Sequence, residues 1–476
     1  MKDFLKDKKQ IHFIGIGGSG MYPLAQILHA QGYNITGSDN NETVTLDAVR
    51  KMGIKVHLGH NAANVTGADL VIFSSAISES NPELKAAREA EITVRDRAEL
   101  LGLFTSQHDR AVCVVGTHGK TTVTSMLVHI LMAAGLDISA FVGGKLKLLD
   151  GSAKLGKSGI MAVEACEFNN NFLKLAPDIA VILNIDEDHM DFFKNMDNLR
   201  KAYSKFCDLT SDVVIFNGDD INTQVAVMNS DYRKKTITFG MSDKNDYYPK
   251  NIKKLSDFES SFELCVGAVS NRPRVGANSV RPPEGTINNV RPPEEIIISV
   301  PGEHNILNAV AACAAALYLG VKFSALKEGL RGFTGAVRRF ERIYEAGGIT
   351  VVDDYAHHPA EVEVTLKAAK NMDYKRVWAV HQPFTYSRTK VLLNDFATAL
   401  SLADKVVLSK IMGGREIDSG DIKSEDLAEK IDGAVVIPDF EGIANYVAEN
   451  AESGDLIITM GCGDVDKCAR LIAGKM

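Results

Sequence analysis

The sequence predicts the α/β class, built as three successive doubly wound units. Short apolar runs alternate with helical patterns along the chain, which is the signature of parallel sheets covered by helices. Glycine-rich turns follow two of those runs, at 15–20 and 116–119, where strand ends meet helix starts. The chain has 476 residues, room for about three domains of ~150 each.

The first unit spans 1–106. Residues 11–16 are an apolar strand, the glycines follow, and a helix then shows apolar positions at Met21, Leu24, Ala25, Ile27 and Leu28. Further strands are expected in 34–39 and 68–77, and 92–104 reads as a strand running into a helix. The second unit, 107–333, starts with the run AVCVVGTHGKTTVTSMLVHILMAAG (111–135). Its helix has apolar Val123, Met126, Leu127, Ile130 and Leu131, and Gly135 suits its C-terminal cap. Strands at 160–164 and 179–184 and an alanine-rich helix at 305–320 complete it. The third unit, 334–476, repeats the alternation with strands at 349–354, 376–380, 405–411, 434–438 and 456–460. One segment breaks the pattern: VRPPE occurs twice within 278–295, and paired prolines cannot join a sheet ladder. About 270–296 therefore reads as a tolerated surface insertion.

Composition narrows the function. A net charge of −8 offers no broad basic surface for nucleic acid. Seven scattered cysteines with no CxxC pair argue against a disulfide framework or a zinc site. The charged N-terminus lacks a signal-peptide core, and no run of 18 apolar residues occurs, so a cytoplasmic protein without a membrane span is expected.

The two glycine turns carry the chemistry. Gly15, Gly17 and Gly20, with Gly18 and Ser19 between them and Asp39 about twenty residues on, match the dinucleotide fingerprint. The physics is general: backbone N–H groups approach a diphosphate at a helix N-terminus, and NAD or any other nucleotide diphosphate would serve. The second turn, Gly116-Thr117-His118-Gly119-Lys120-Thr121-Thr122, resembles a shortened phosphate loop between strand and helix. There the backbone would wrap the ATP phosphates, Lys120 would neutralise them and the Thr121 hydroxyl would ligate Mg²⁺. Mg²⁺ wants oxygen ligands. Glu164 ends an apolar strand, Glu167 follows it, and Asp186, Glu187, Asp188, His189 and Asp191 follow another. Of these Glu164 is the favoured ligand. Asn305 and Asn308 open a helix and could read an adenine edge. In the third unit Asp353, Asp354, His357 and His358 follow a strand, and the stretches RRFE (338–341) and YSRT (386–389) put arginines in loops suited to anion clamps.

In this order, GIGGSGM, SSAI (74–77), GTHGKTT, EACEFNNNFL, ILNIDEDHMDFF, GEHNILNAVAA, RRFE, DDYAHHPAE and QPFTYSRT make the chain similar to the Mur ligases over nearly its full length. The resemblance implies an N-terminal Rossmann-like UDP-binding domain, a central P-loop ATPase-like domain and a C-terminal Rossmann-like domain. It implies an ATP- and Mg²⁺-dependent ligase of peptidoglycan precursor synthesis, which joins L-alanine to the lactyl carboxylate of UDP-N-acetylmuramate through an acyl phosphate. A preformed tripeptide in place of L-alanine, as in murein peptide ligases, remains the alternative. A monomer or homodimer with no nucleic-acid or membrane partner is implied.

Carried over residue by residue, Gly15, Gly17, Gly18, Ser19, Gly20, Asp39, Ser74 and Ser75 would line the UDP-sugar pocket. Lys120 and Thr121 would meet phosphate and Mg²⁺. Glu164 would bind Mg²⁺, and His189 would bind or organise a second one. Asn305 and Asn308 would meet adenine, Arg339 the phosphates and Asp354 the ribose. His357 and Arg388 would lie near the amino acid and the acyl phosphate. Two departures stand out. GAVRRF (335–340) stands where the family usually reads GVKRRF, so Val337 takes the place of a lysine, and Phe384 replaces a family histidine, although His381 stands three residues earlier.

Overall fold

A computed structural model describes residues 3–74, 76–267, 293–414, 416, 418 and 420–476. Ser75 and the proline-rich stretch through 292 lie outside the described residues. Three sheets form, one for each expected unit.

The first sheet holds β1 (Gln10–Ile14), β2 (Asn34–Asp39), β3 (Lys55–Leu58), β4 (Leu70–Phe73) and β5 (Thr93–Asp96), all parallel, in the order β3-β2-β1-β4-β5. The order reverses at β1, so the glycine turn after β1 sits at the crevice where such sheets bind ligands. Ile14 pairs with Ser38 on one side and Phe73 on the other, which aligns the three strand ends around that turn.

The second sheet has ten strands: β6 (Arg110–Val115), β7 (Ser139–Leu146), β8 (Gly151–Lys154), β9 (Ile160–Glu164), β10 (Ile179–Ile182), β11 (Val213–Asn217), β12 (Lys235–Phe239), β13 (Tyr247–Lys254), β14 (Ser260–Val266) and β15 (Glu294–Ile298). Their order is β15-β14-β13-β12-β11-β10-β6-β9-β7-β8. β6 lies between β10 and β9, and Val114 pairs with Val181 and Glu164. The GTHGKTT turn therefore emerges flanked by Glu164 and by the acidic run after β10. The helix Lys120–Ala133 that follows buries Val123, Met126, Leu127, Ile130 and Leu131, as the periodicity predicts.

The third sheet orders β16 (Glu341–Ala346), β17 (Ile349–Asp354), β18 (Arg376–His381), β19 (Lys405–Leu408), β20 (Val435–Val436) and β21 (Asp455–Met460) as β16-β17-β21-β18-β19-β20. Only the edge strand β16 runs antiparallel among the described pairs. Both faces are covered. Val352, Val377, Ala379 and Ile458 enter one core, and Val351, Trp378, Val380 and Ile457 enter the other. Strands buried on both faces read as continuous apolar runs, which is why they were visible in the sequence.

The first two sheets fold as one compact unit (Met1–Lys253, Ser260–Ile298 and Glu303–Phe333), and the third belongs to a second (Lys254–Glu259, Ser299–Gly302 and Thr334–Met476). Within the first unit the apolar core is continuous between sheets: Leu100, Leu101, Leu103 and Phe104 of the helix Arg97–Ser106 share it with Phe172 and Leu175. Among the described residues no helix is long and apolar enough to cross a membrane.

Candidate active site

The turn after β1 is held by the last two residues of β2. Gly15 and Ile16 donate their N–H groups to the Ser38 carbonyl at 2.8 and 3.0 Å. Gly17 N–H donates to Asp39 Oδ2 at 3.0 Å, and Asn41 N–H to Oδ1 at 3.3 Å. Asp39 thus secures the loop itself. Gly18 and Ser19 are exposed, Gly20 precedes the helix Tyr22–Ala30, and Ser74 lies alongside Gly15.

Beneath this turn lies a polar network that the sequence did not reveal. Glu83, fully buried, accepts from Ser38 Oγ and Asn64 Nδ2 at 2.5 Å each, with His60 Nδ1 at 3.2 Å and His12 Nε2 at 3.6 Å. Burial disfavours its charge, but the His12, Ser38 and Asn64 contacts outweigh that and pull its pKa down to about 2. In the sequence Glu83 looks like any acid in a first helical turn.

The GTHGKTT turn is zipped to the segment after β10. Thr117 N–H donates to the Asn184 carbonyl (3.1 Å) and His118 N–H to Asn184 Oδ1 (2.8 Å), while Asp186 N–H donates to Thr117 Oγ1 (2.9 Å). Gly119 takes φ +85°, and a Cβ there would fall 2.7 Å from Asn308 Oδ1, so only glycine fits. Asn308 also donates to Asn305 Oδ1 at 3.1 Å, which places that pair over the start of the helix. Thr122 follows in its first turn, half-buried.

Lys120 folds its ammonium back under the loop, donating to the Gly116 and Thr117 carbonyls at 2.5 and 3.0 Å. It also bonds Glu167 Oε1 at 3.0 Å, with Oε2 at 2.9 Å. Burial opposes the ammonium charge, but Glu167, with Cys166 and Glu164 further off, more than compensates and holds its pKa above the ordinary lysine value. Thr121 Oγ1 donates to Glu164 Oε1 at 3.0 Å, and Gly143 N–H fixes Oε2 at 2.6 Å. His189, in the left-handed region at φ +53°, packs its ring on Phe168 with centroids 4.8 Å apart.

Glu167, Asp188 and His189 bring one ligand atom each within 4.8 Å of one another. Two donor groups result, one at Thr121–Glu164 and one at Glu167–Asp188–His189. The sequence reading favoured Glu164 over Glu167 because Glu164 ends the strand. The 3-10 segment Phe168–Lys174 begins right after Glu167, and Glu167 lies under Lys120.

In the third unit two turns meet at the ends of β17 and β21. Arg338 donates to Asp353 Oδ2 (2.9 Å) and to the Gly461 and Gly463 carbonyls (2.5 and 2.6 Å). The guanidinium of its neighbour Arg339 makes no hydrogen bond among the described residues and stands 5.3 Å from the Tyr355 ring centroid. Asp354 accepts from Phe340 N–H (2.7 Å) and Ala356 N–H (2.9 Å), with Thr365 Oγ1 at 3.3 Å. The carboxylate expected to meet a ribose is thus engaged in joining the two turns. Glu361 accepts from His357 N–H at 3.0 Å and lies 3.2 Å from its Nδ1, which orients the ring. Arg388, on the helix Tyr386–Val391, has a guanidinium with no hydrogen bond among the described residues. Phe384 is half-buried against Gly414.

His381 ends β18 fully buried, 5.4 Å from the Phe396 ring, with neither ring nitrogen hydrogen-bonded among the described residues. Burial pulls its pKa down to about 4. A depressed histidine pKa means the neutral form is favoured on folding. Its stabilisation is complete above the ordinary value of about 6.5 and is lost as pH falls toward 4, about 2 kcal/mol by pH 5. His381→Phe should therefore raise the melting temperature more at pH 5 than at pH 7.5; an equal shift at both would contradict this.

Family models match the chain in sequence: the Mur ligase catalytic domain at 10–109, the middle domain at 114–316 and the Mur ligase glutamate ligase domain at 338–463. The chain belongs to the Mur ligase family. It is 41% identical over 467 residues to the UDP-N-acetylmuramate–L-alanine ligase of Caldanaerobacter subterraneus subsp. tengcongensis, covering 97% of this chain and 96% of that one. Among solved structures, the UDP-N-acetylmuramate–alanine ligase of Thermotoga maritima superposes with a TM-score of 0.79 at 27% identity, covering 98% of each chain. A murein peptide ligase of Psychrobacter arcticus follows at TM-score 0.70 and 23% identity, also covering 98% of each, which shows shared fold. The three-domain Mur ligase architecture read from the sequence is the observed one.

Proposed function

We propose that this member of the Mur ligase family joins L-alanine to the lactyl carboxylate of UDP-N-acetylmuramate, driven by ATP, in peptidoglycan precursor synthesis. The observation that carries the reading is the pair of glycine turns in one compact unit, after β1 and after β6, the second with Lys120 beneath it. Two nucleotides need two cradles, and one dinucleotide would leave the second without purpose.

The carboxylate oxygen of the sugar attacks the γ-phosphorus of ATP, and ADP leaves. The amine of L-alanine then attacks the acyl carbon and loses a proton, and phosphate departs with the former carboxylate oxygen. The first step brings two anions together, so stabilising charge must carry the barrier. Lys120 supplies a permanent ammonium, released from Glu167 to the γ-phosphate. Asn305 and Asn308 stand beside the phosphate loop to receive the adenine. In the third unit the two uncommitted guanidinium groups take the anions, Arg339 a phosphate and Arg388 the alanine carboxylate. His357, its Nδ1 fixed by Glu361 and the Tyr355 carbonyl, presents Nε2 to the attacking amine.

The donor sets fit Mg²⁺, a hard cation that takes carboxylate, hydroxyl and water oxygens. Thr121 and Glu164 would hold one ion, and the Glu167 and Asp188 carboxylates would hold a second, with the His189 nitrogen as an added ligand or an organiser of that site. Bound there, Mg²⁺ would offset charge on the phosphates.

Release of ADP should require UDP-N-acetylmuramate, ATP and L-alanine together. Product formation that continues without the amino acid would overturn the reading. The Phe384 departure favours testing one other acceptor, a preformed tripeptide. With both offered in one assay, L-alanine is expected to be consumed and the tripeptide left; the reverse would establish murein peptide ligase activity.

A further inference from the structure

Arg97 lies beside the glycine turn after β1. It is the first residue of the helix Arg97–Ser106, and its side chain rests on Gly20, the last glycine of the β1 turn. A Cβ on Gly20 would fall 3.0 Å from both Cδ and Nη1 of Arg97. On the other side, the preceding residue Asp96 is ion-paired with Lys174, which ends the segment Phe168–Lys174 that begins after Glu167. The start of this helix thus ties the glycine turn to the segment leading from the Lys120–Glu167 pair.

The guanidinium itself is uncommitted. Among the described residues the Arg97 side chain makes no hydrogen bond or ion pair, although acids flank it. Asp96 caps the helix by accepting from Ala98 and Glu99 N–H at 2.8 and 3.0 Å, and Glu99 returns the bond to Asp96 N–H at 2.9 Å. Both acids are therefore occupied.

We propose that Arg97 is a substrate-binding residue whose guanidinium holds the lactyl carboxylate of the UDP-sugar, the group to be phosphorylated. This rests on the ligase reading above. The diphosphate already has the N–H groups of the β1 turn and the helix behind it. The carboxylate must reach the phosphate over Lys120, and the start of the helix Arg97–Ser106 joins the glycine turn to the segment that follows Glu167, the partner of Lys120. A planar fork also matches a carboxylate with two parallel hydrogen bonds, fixing which oxygen faces the phosphorus.

The test compares UDP-N-acetylmuramate with UDP-N-acetylglucosamine, which shares the nucleotide and sugar ring but lacks the lactyl arm, by calorimetry on the full chain. Arg97→Ala should weaken UDP-N-acetylmuramate binding about tenfold, within the range for a charge-assisted pair, leave UDP-N-acetylglucosamine binding within about twofold, and leave the melting temperature unchanged. Arg97→Lys should recover part of the loss. Equal weakening of both ligands would assign Arg97 to the diphosphate and overturn the proposal, as would no change in either. If the wild-type chain bound neither nucleotide sugar, the ligase reading itself would fail, a result distinct from either outcome with Arg97.

Discussion

Lys120→Ala is expected to lower turnover by about a thousandfold or more, the scale for removing a preorganised charge from a developing anion. Its second effect follows from the geometry. Glu167 is buried, and Lys120 is its cationic partner. Removing the lysine strands that carboxylate, and breaking a buried pair costs about 3 kcal/mol or more. The variant should melt earlier than wild type as well as being inactive. Lys120→Met with Glu167→Gln separates the two effects. Stability should return, because no buried charge is left unpaired, while activity should not. Unfolding curves and ADP release on the same preparations decide it. A double variant with wild-type turnover would remove Lys120 from the chemistry.

Arg338→Ala has the largest expected effect on stability. Arg338 adopts φ +63° and spans Asp353, Gly461 and Gly463, closing the turns at the ends of β17 and β21. Without it Asp353, fully buried, keeps only Thr459 Oγ1 as a side-chain donor among the described residues. A loss of about 3–5 kcal/mol at pH 7 is expected. The pH dependence gives the signature. Burial already raises the Asp353 pKa to about 6 against the pull of Arg338. A carboxyl whose folded pKa exceeds its unfolded value near 3.8 favours folding when protonated, and that contribution is lost as pH rises through 6. The Arg338→Ala defect should therefore shrink between pH 7 and pH 5, where Asp353 can take up a proton. A defect equally deep at both would contradict this. Arg339→Ala, one residue on, should change stability by no more than about 1 kcal/mol, the scale of its contact with Tyr355, and raise the KM for ATP.

The contrast between these two arginines shows where sequence reasoning stops. RRFE marks both as loop cations. Which one points into the fold depends on the left-handed turn at Arg338 and on carbonyls more than a hundred residues away. Strands buried on both faces, such as β6, β10 and β21, were legible because their apolar runs are continuous. β13 was not, since YYPKNIKK carries a proline and ends in exposed, charged residues. The glycine turns and GTHGKTT were legible because backbone approach to phosphate demands those residues. Glu83 and Glu167 were not. An acid becomes a site component only when folding buries it beside a cation or donors, and nothing within a few residues records that.

The central claim is that the sugar carboxylate is phosphorylated before the amide forms, and heavy-oxygen transfer tests it most directly. UDP-N-acetylmuramate labelled in both lactyl carboxylate oxygens is converted with ATP and L-alanine, and the released phosphate is analysed by mass spectrometry. One labelled oxygen per phosphate is expected, with the other retained in the amide. Unlabelled phosphate alongside amide product would contradict the account.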